Sequence, residues 1–191
     1  PPMCIVGIWD YYLATGDKSA VFSMLPKLLD SIRQIDELYD SKAGLVRAAQ
    51  STSNDAFPEP ENGGFALGSE CYYMKAYENM AQIGELVGYD NKATELWRYK
   101  GELIKKHIQE KYWNEDFGFY TSGPVGSEAY KNGVWESSGE EAAIWDKFGI
   151  ATSEQRRSVL NSLKKVALSP YGITLFPCRK ERNHYVGTIW V

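Results

Sequence analysis

Cysteine and histidine are scarce in this 191-residue chain, which holds 3 of the first and 2 of the second. Cys4, Cys71 and Cys178 are odd in number and far apart, so no disulfide framework and no CxxC metal site is visible; they read as buried small hydrophobes. His107 and His184 are too few and too separated to centre a zinc or copper cluster, so neither a metal nor another cofactor is called for. The glycine signatures of nucleotide and acyl chemistry are missing as well. There is no GxGxxG, no GxxxxGKS/T and no GxSxG, and the nearest approach, Gly63-Gly64-Phe65-Ala66-Leu67-Gly68, fits none of these spacings. Nor is there an excess of positive charge: 21 basic against 25 acidic side chains leave a net charge of −4, with no basic stripe for nucleic acid and no polybasic patch for a membrane surface. No apolar run reaches the roughly 18 to 20 residues of a membrane-spanning helix, and residues 1–20 lack the form of a signal peptide. A soluble globular chain with one core is expected, of unspecified compartment.

Aromatic residues, by contrast, are abundant: 6 Trp, 13 Tyr and 7 Phe, together 14% of the chain. Some must be core. Flat amphipathic rings are also what a sugar-binding surface uses, because they pack on apolar C–H faces while their polar tips hydrogen-bond.

A repeat organises the chain. An apolar helical stretch ends at a glycine, a short polar turn follows and a second helix begins, at Gly16-Asp17, at Gly88 before Asp90-Asn91, and at Gly149 before Thr152. Each glycine suits the left-handed position after a helix, and Asp17, Asp90 or Asn91, and Thr152 suit the next N-cap. Thr152-Ser153-Glu154-Gln155 reads as a capping box. Each second helix runs on to another glycine, at Gly44, Gly118 and Gly172. These helices carry apolar stripes: Val21, Leu25, Leu28, Leu29 and Ile32; then Leu96, Leu103, Ile104 and Ile108; then Val159, Leu160, Leu163 and Val166. The first helices, over 3–15, 68–87 and 134–148, are richer in aromatic and small residues and carry fewer charges, as expected of inner helices. The fold class predicted is all-α: three helical hairpins in an inner and an outer layer, at about 60 to 70 residues per repeat, in an open arc over residues 1–191 as a single partial domain. The apolar ends, near Ile5 and Ile8 and near Ile189 and Trp190, carry the expectation of a longer ring with uncovered flanks and of a fourth hairpin just begun.

Residues 46–67 are too long for a connection between bundle helices, which typically takes about 2 to 8 residues, and loops of that length tend to be functional. With no nucleophile motif, carboxylate acid and base chemistry is the productive remainder. Asp55, Glu59 and Glu61 lie in that loop, Glu70 opens the second inner helix, and Glu136, Glu140 and Glu141 lie on the third. Asp55, flanked by Asn54 and Phe57, has the surroundings that raise a carboxyl enough to donate a proton, and equally those of a turn or cap carboxylate before Pro58. Trp135 with Glu136, and His184 with Tyr185, fall where inner helices begin and suit sugar contacts. His107, among Lys105, Lys106 and Lys111, reads as a surface residue.

The run Ser51-Thr52-Ser53-Asn54-Asp55-Ala56-Phe57-Pro58, followed by Leu67-Gly68-Ser69-Glu70-Cys71-Tyr72-Tyr73, resembles the inverting glycosidases with an (α/α)6 toroid, trehalase and the glucosidase I-like enzymes. Tyr112-Trp113-Asn114-Glu115-Asp116-Phe117-Gly118 and the segment from Tyr171-Gly172 to His184-Tyr185-Val186-Gly187-Thr188-Ile189-Trp190 are similar to further motifs of that superfamily, in the same order. The resemblance implies a glycoside hydrolase acting on an oligosaccharide. It implies Asp55 as general acid, Asn54, Phe57, Trp135, Glu136, His184, Tyr185 and Trp190 as sugar contacts, and a general base beyond Val191, so that this chain alone is inactive. The Glu that opens the family's loop is replaced here by Ser51 or a neighbour. α-L-Rhamnosidases and debranching-type glucosidases share the scaffold, so the sugar stays open. Two other classes compete: a sugar epimerase, which needs catalytic histidines on inner helices, and a helical repeat scaffold for a protein partner, which needs short loops.

Overall fold

A computed structural model describes residues 1–47, 65–116, 118–121, 123–125, 147–166, 168–169 and 172–173. The chain divides into two compact units, one of residues 1–47 and 70–107, the other of residues 48–69 and 108–191.

In the first unit, helix α1 (Pro2–Thr15) ends at Gly16, whose φ of 71° is the left-handed conformation that a Cβ penalises, and the Gly16 N–H returns to the Tyr12 carbonyl at 2.7 Å. Asp17 then caps α2 (Lys18–Leu38), accepting from the Ser19 and Ala20 N–H groups at 2.9 and 3.2 Å. Pro26 lies inside α2 without ending it. The chain next makes a two-stranded antiparallel ribbon, β1 (Tyr39–Asp40) with β2 (Leu45–Val46), around Gly44 at φ 65°.

Helix α3 (Leu67–Val87) leads through Gly88 at φ 68° to α4 (Asn91–Lys111), with Asp90 rather than Asn91 as the cap, accepting from Lys92 and Ala93. The two run antiparallel in close contact. Late in α3, a Cβ at Gly84 would meet Thr94 and Trp97 of early α4, and further along α4 a Cβ at Gly101 would meet Glu78 and Met74 of earlier α3. The pairing of expected helices 68–87 and 91–111 is therefore the one observed. The buried stripe of α4 runs Thr94, Trp97, Ile104 and Ile108, at 3- and 4-residue steps broken by the close approach at Gly101. Leu96, expected in that stripe, is one position off it and exposed.

In the second unit, β3 (Trp113–Asn114) pairs antiparallel with β4 (Phe119–Tyr120) around Gly118 at φ 66°. This repeats the first ribbon position for position: Gly44 N–H reaches the Asp40 carbonyl and Arg47 N–H that of Leu38, as Gly118 N–H reaches Asn114 and Thr121 N–H reaches Tyr112. Helix α5 (Ser153–Val166) follows Gly149 at φ 68° and starts in the expected capping box, with Gln155 N–H on Thr152 Oγ1 at 3.2 Å and Thr152 N–H on Gln155 Oε1 at 3.0 Å. Val159 of its stripe is buried, whereas Leu160 is exposed. A third ribbon, β5 (Leu168–Ser169) with β6 (Gly172–Ile173), closes the described chain. The recurring unit of the all-α fold is thus helix, glycine turn, helix, ribbon. The expected third inner helix over 134–148 lies outside the described residues except for its last two positions.

Candidate active site

The long stretch between β2 and α3 is tied down at both flanks. At its start, Val46 N–H donates to both carboxylate oxygens of Glu70, 3.1 Å from each, and Glu70 is fully buried in the first turn of α3, where the helix dipole favours a negative charge. The next residue, Arg47, closes the ribbon through its N–H on the Leu38 carbonyl at 2.8 Å and pairs its guanidinium with Asp40 at 3.1 Å. At the other end, within the second unit, the fully buried Tyr112 donates its phenol O–H to the Phe65 carbonyl at 2.9 Å. Buried donors and acceptors at these flanks are therefore paired, as burial requires.

Around Glu70 the first unit gathers aromatic hydroxyls. Burial raises the phenols of Tyr73 and Tyr39 above their ordinary range, and the Glu70 charge adds to the rise in both. Tyr77 is pushed up further, first by burial and then by its O–H donation to Asp36 at 2.6 Å. Asp36 also accepts from the Lys100 ammonium, which lies 4.9 Å from the centre of the Tyr39 ring and 5.4 Å from that of Tyr77; the two rings meet edge to face at 6.3 Å. This cluster joins α2, β1, α3 and α4. Its phenols stay protonated and its lysine stays paired, so it is an anchor and offers no nucleophile. Nothing in the spacing of residues 36, 39, 77 and 100 announces it, because they lie on four elements.

The sequence-based candidates fall mostly elsewhere. Asn54, Asp55, Phe57, Trp135, Glu136, His184, Tyr185 and Trp190 lie outside the described residues, as do Glu59, Glu61, Glu140 and Glu141. Of the acids singled out from sequence, Glu70 is the one the structure describes, and it is buried. Three readings need correction. His107 is half-buried: its Nδ1 lies 3.0 Å from the Gly44 carbonyl, and its ring sits where a Cβ at residue 44 would stand. Cys4 is exposed, while Cys71 is buried as expected and Cys178 lies outside the described residues. Ile5, expected to lack partners, is fully buried, in a helix that packs against α2. Among the described residues, no three His, Cys, Asp or Glu side chains converge on a possible metal position, and no helix is long and apolar enough to cross a membrane. The open groove along α3 and α4, with Glu78, Gln82, Glu85, Arg98 and Glu102 on its walls, has no aromatic face for a sugar, and Arg98 and Glu78 are already ion-paired.

Comparison with known proteins gives these features a family. The profile of the bacterial alpha-L-rhamnosidase six-hairpin glycosidase domain matches residues 2–163. Among solved structures, the GH78 family rhamnosidase of Bacillus sp. GL1 superposes with a TM-score of 0.65 at 16% identity, over 87% of this chain and 17% of that one. A rhamnosidase from Klebsiella oxytoca with rhamnose bound gives 0.61 at 15% identity, over 84% and 29%. A protein titled sialidase gives 0.67 at 18% identity, over 86% and 15%. The chain thus spans less than a third of each of these proteins, and at such identities the likeness is one of fold. No curated protein matches it.

Proposed function

Since this chain belongs to the bacterial alpha-L-rhamnosidase six-hairpin glycosidase family, we propose that it is part of the catalytic domain of a glycoside hydrolase that releases L-rhamnose from an α-linked oligosaccharide or glycoside. The observation that carries the reading is the family match itself, which runs through the stretch bearing Asp55 and through both hairpins beside it. The domain is read as a single partial toroid over residues 1–191, completed by chain outside it and inactive without it. In this reading Asp55 is the general acid. Protonated, it gives its proton to the glycosidic oxygen as the bond to the anomeric carbon breaks. A second carboxylate, beyond Val191, takes a proton from the water that attacks the opposite face. Inversion by that route places the two carboxyls about 6.5 to 9.5 Å apart, leaving room for the water. Asn54, Phe57, Trp135, Glu136, His184, Tyr185 and Trp190 are assigned to the sugar, and no cofactor takes part.

A glucoside is the second substrate class, favoured by the trehalase-like and glucosidase I-like motif order from Ser51 to Trp190. Incubating the intact protein with aryl α-L-rhamnosides and aryl α-glucosides, with the first-formed anomer followed by NMR, tests both. Rhamnose released with inverted configuration is expected; glucose alone transfers the reading to the second class, and retention removes the inverting mechanism. Asp55→Asn is expected to cost about 10²- to 10⁴-fold in kcat on natural glycosides. Parent activity in that variant would remove Asp55 from the mechanism and return attention to Glu59, Glu61 or Glu136.

A further inference from the structure

We propose that the face of α2 bearing Phe22, Pro26, Leu29 and Arg33 is a docking surface for the β-ribbon of a further helical hairpin of the same protein, from chain outside residues 1–191. The inference deepens the reading of this chain as a partial six-hairpin domain and rests on it for that further hairpin; the surface itself follows from the repeat. Ribbon β1–β2, which follows α2, packs on α4 in the first unit. There the His107 ring covers the bare Cα of Gly44, with its Nδ1 3.0 Å from the Gly44 carbonyl oxygen, and Lys100 lies 4.9 Å from the centre of the Tyr39 ring. Ribbon β3–β4, which follows α4, packs on α5 in the second unit. There Ser158 Oγ stands where a Cβ at Gly118 would fall, with Ser162 Oγ beside it, and Gln155 accepts from the Tyr120 O–H at 2.9 Å. The register is the same in both helices: Lys100 and His107 precede the first residue of β3 by 13 and 6 positions, as Gln155 and Ser162 precede that of β5. A left-handed glycine, having no Cβ, lets a helix side chain come that close to the ribbon backbone.

Counted back from β1 in the same way, these positions in α2 are Pro26 and Arg33, with Leu29 between them at the place of Ser158. The receiving positions of α4 and α5 are all half-buried. Pro26 and Arg33 are exposed, and Phe22, one turn earlier on the same face, is 52% exposed. Helix α2 thus repeats the receiving stripe and, among the described residues, leaves it open: an apolar strip of Phe22, Pro26 and Leu29 that ends in a guanidinium. Arg33 pairs one nitrogen with Asp30 and keeps further N–H donors, which suit the glycine carbonyl at a ribbon tip as the His107 ring does in α4.

The test uses the intact natural protein. Hydroxyl-radical labelling is expected to be lost at Phe22 and Leu29, while Leu96 of α4, 49% exposed, is labelled in the same sample as the standard. Phe22→benzoylphenylalanine, irradiated, should then cross-link within one chain, to a glycine-bearing segment outside residues 1–191. Labelling of Phe22 at the level that its 52% exposure predicts would overturn the proposal. So would a cross-link to a second copy of the protein, or one confined to residues 1–191. Should the cross-linking variant not fold, the labelling of the parent still decides. A natural chain of 21.6 kDa, with no further hairpin, would end the partial-domain reading and the proposal together; a longer chain with Phe22 labelled would end the proposal alone. Neither readout involves activity, so an error over the sugar or over Asp55 leaves the docking surface standing.

Discussion

Helices α1 and α3 have similar places in the repeat and opposite surroundings. α1 is apolar on nearly every side, yet Met3, Tyr11 and Leu13 remain 58%, 46% and 64% exposed, and only Pro2, Ile5 and Val6 are buried. α3 carries Glu70, Lys75, Glu78 and Asn79 among its apolar residues, yet Gln82 and Glu85 are its only exposed positions. Composition marked both as inner helices. Burial, however, is a property of neighbours: the described packing of α1 is chiefly against α2, whereas α3 meets α4 at Gly84 and Gly101, α2 through Tyr77 and Asp36, and β2 through Glu70. α3 even holds a fully buried Asn79 whose amide meets no hydrogen-bond partner among the described residues, a cost that dense packing on its other faces must offset.

The contrast is sharpest under truncation. Met74→Ala, in the fully buried face of α3, is expected to cost about 2 to 5 kcal/mol in urea unfolding, against about 0.5 kcal/mol or less for Leu13→Ala in α1. Similar losses at the two sites would erase the distinction between the helices. Next in size comes a pair of left-handed glycines. Gly44→Ala meets both the φ of 65° and the His107 ring, and should cost about 2 to 4 kcal/mol, whereas Gly16→Ala, with open space around its Cβ, should cost only the conformational penalty of about 1 to 2 kcal/mol. If the two melts moved equally, the ring contact at Gly44 would carry no energy.

Tyr77→Phe is the smallest of the three, at about 1.5 to 3 kcal/mol for a buried hydrogen bond to a charged acceptor. It also has a pH signature. The folded state raises this phenol above its ordinary pKa of 10.0, so the stabilisation is complete below pH 10 and is lost as pH rises toward the folded value; Tyr39 and Tyr73 move the same way. The variant should therefore show a shallower loss of stability above pH 10 than the parent. An unchanged alkaline limb would mean that the phenol is not held protonated by the fold.

The turns were legible because each is a few consecutive residues with one physical requirement. Gly16, Gly88 and Gly149 are left-handed, and Asp17, Asp90 and Thr152 cap, as their positions imply. Stripes were legible to within a position: Leu96 and Leu160 were placed inside and are exposed, since a step of one residue turns a side chain by about 100°. The short ribbons after α2, α4 and α5 were signalled only by their glycines, because two-residue strands carry no period of their own. Of the candidate site, Glu70 was visible as an acid at the mouth of an inner helix, while its hydrogen bond to Val46 N–H was not. His107 was misread for the same reason: its lysine-rich neighbours in sequence are not its neighbours in space.

By itself, the sequence determined the helix extents at 3–15, 68–87 and 91–111, the glycine turns, the caps and the membership in a six-hairpin glycosidase family, all of which follow from local chain geometry and the order of short motifs. Only the tertiary structure decided which apolar helix is covered, where Asp36, Tyr39, Tyr77 and Lys100 converge, and that Glu70 closes on Val46. Those outcomes depend on desolvation and hydrogen bonding between residues far apart in the chain. Their energies exist only once particular faces have met.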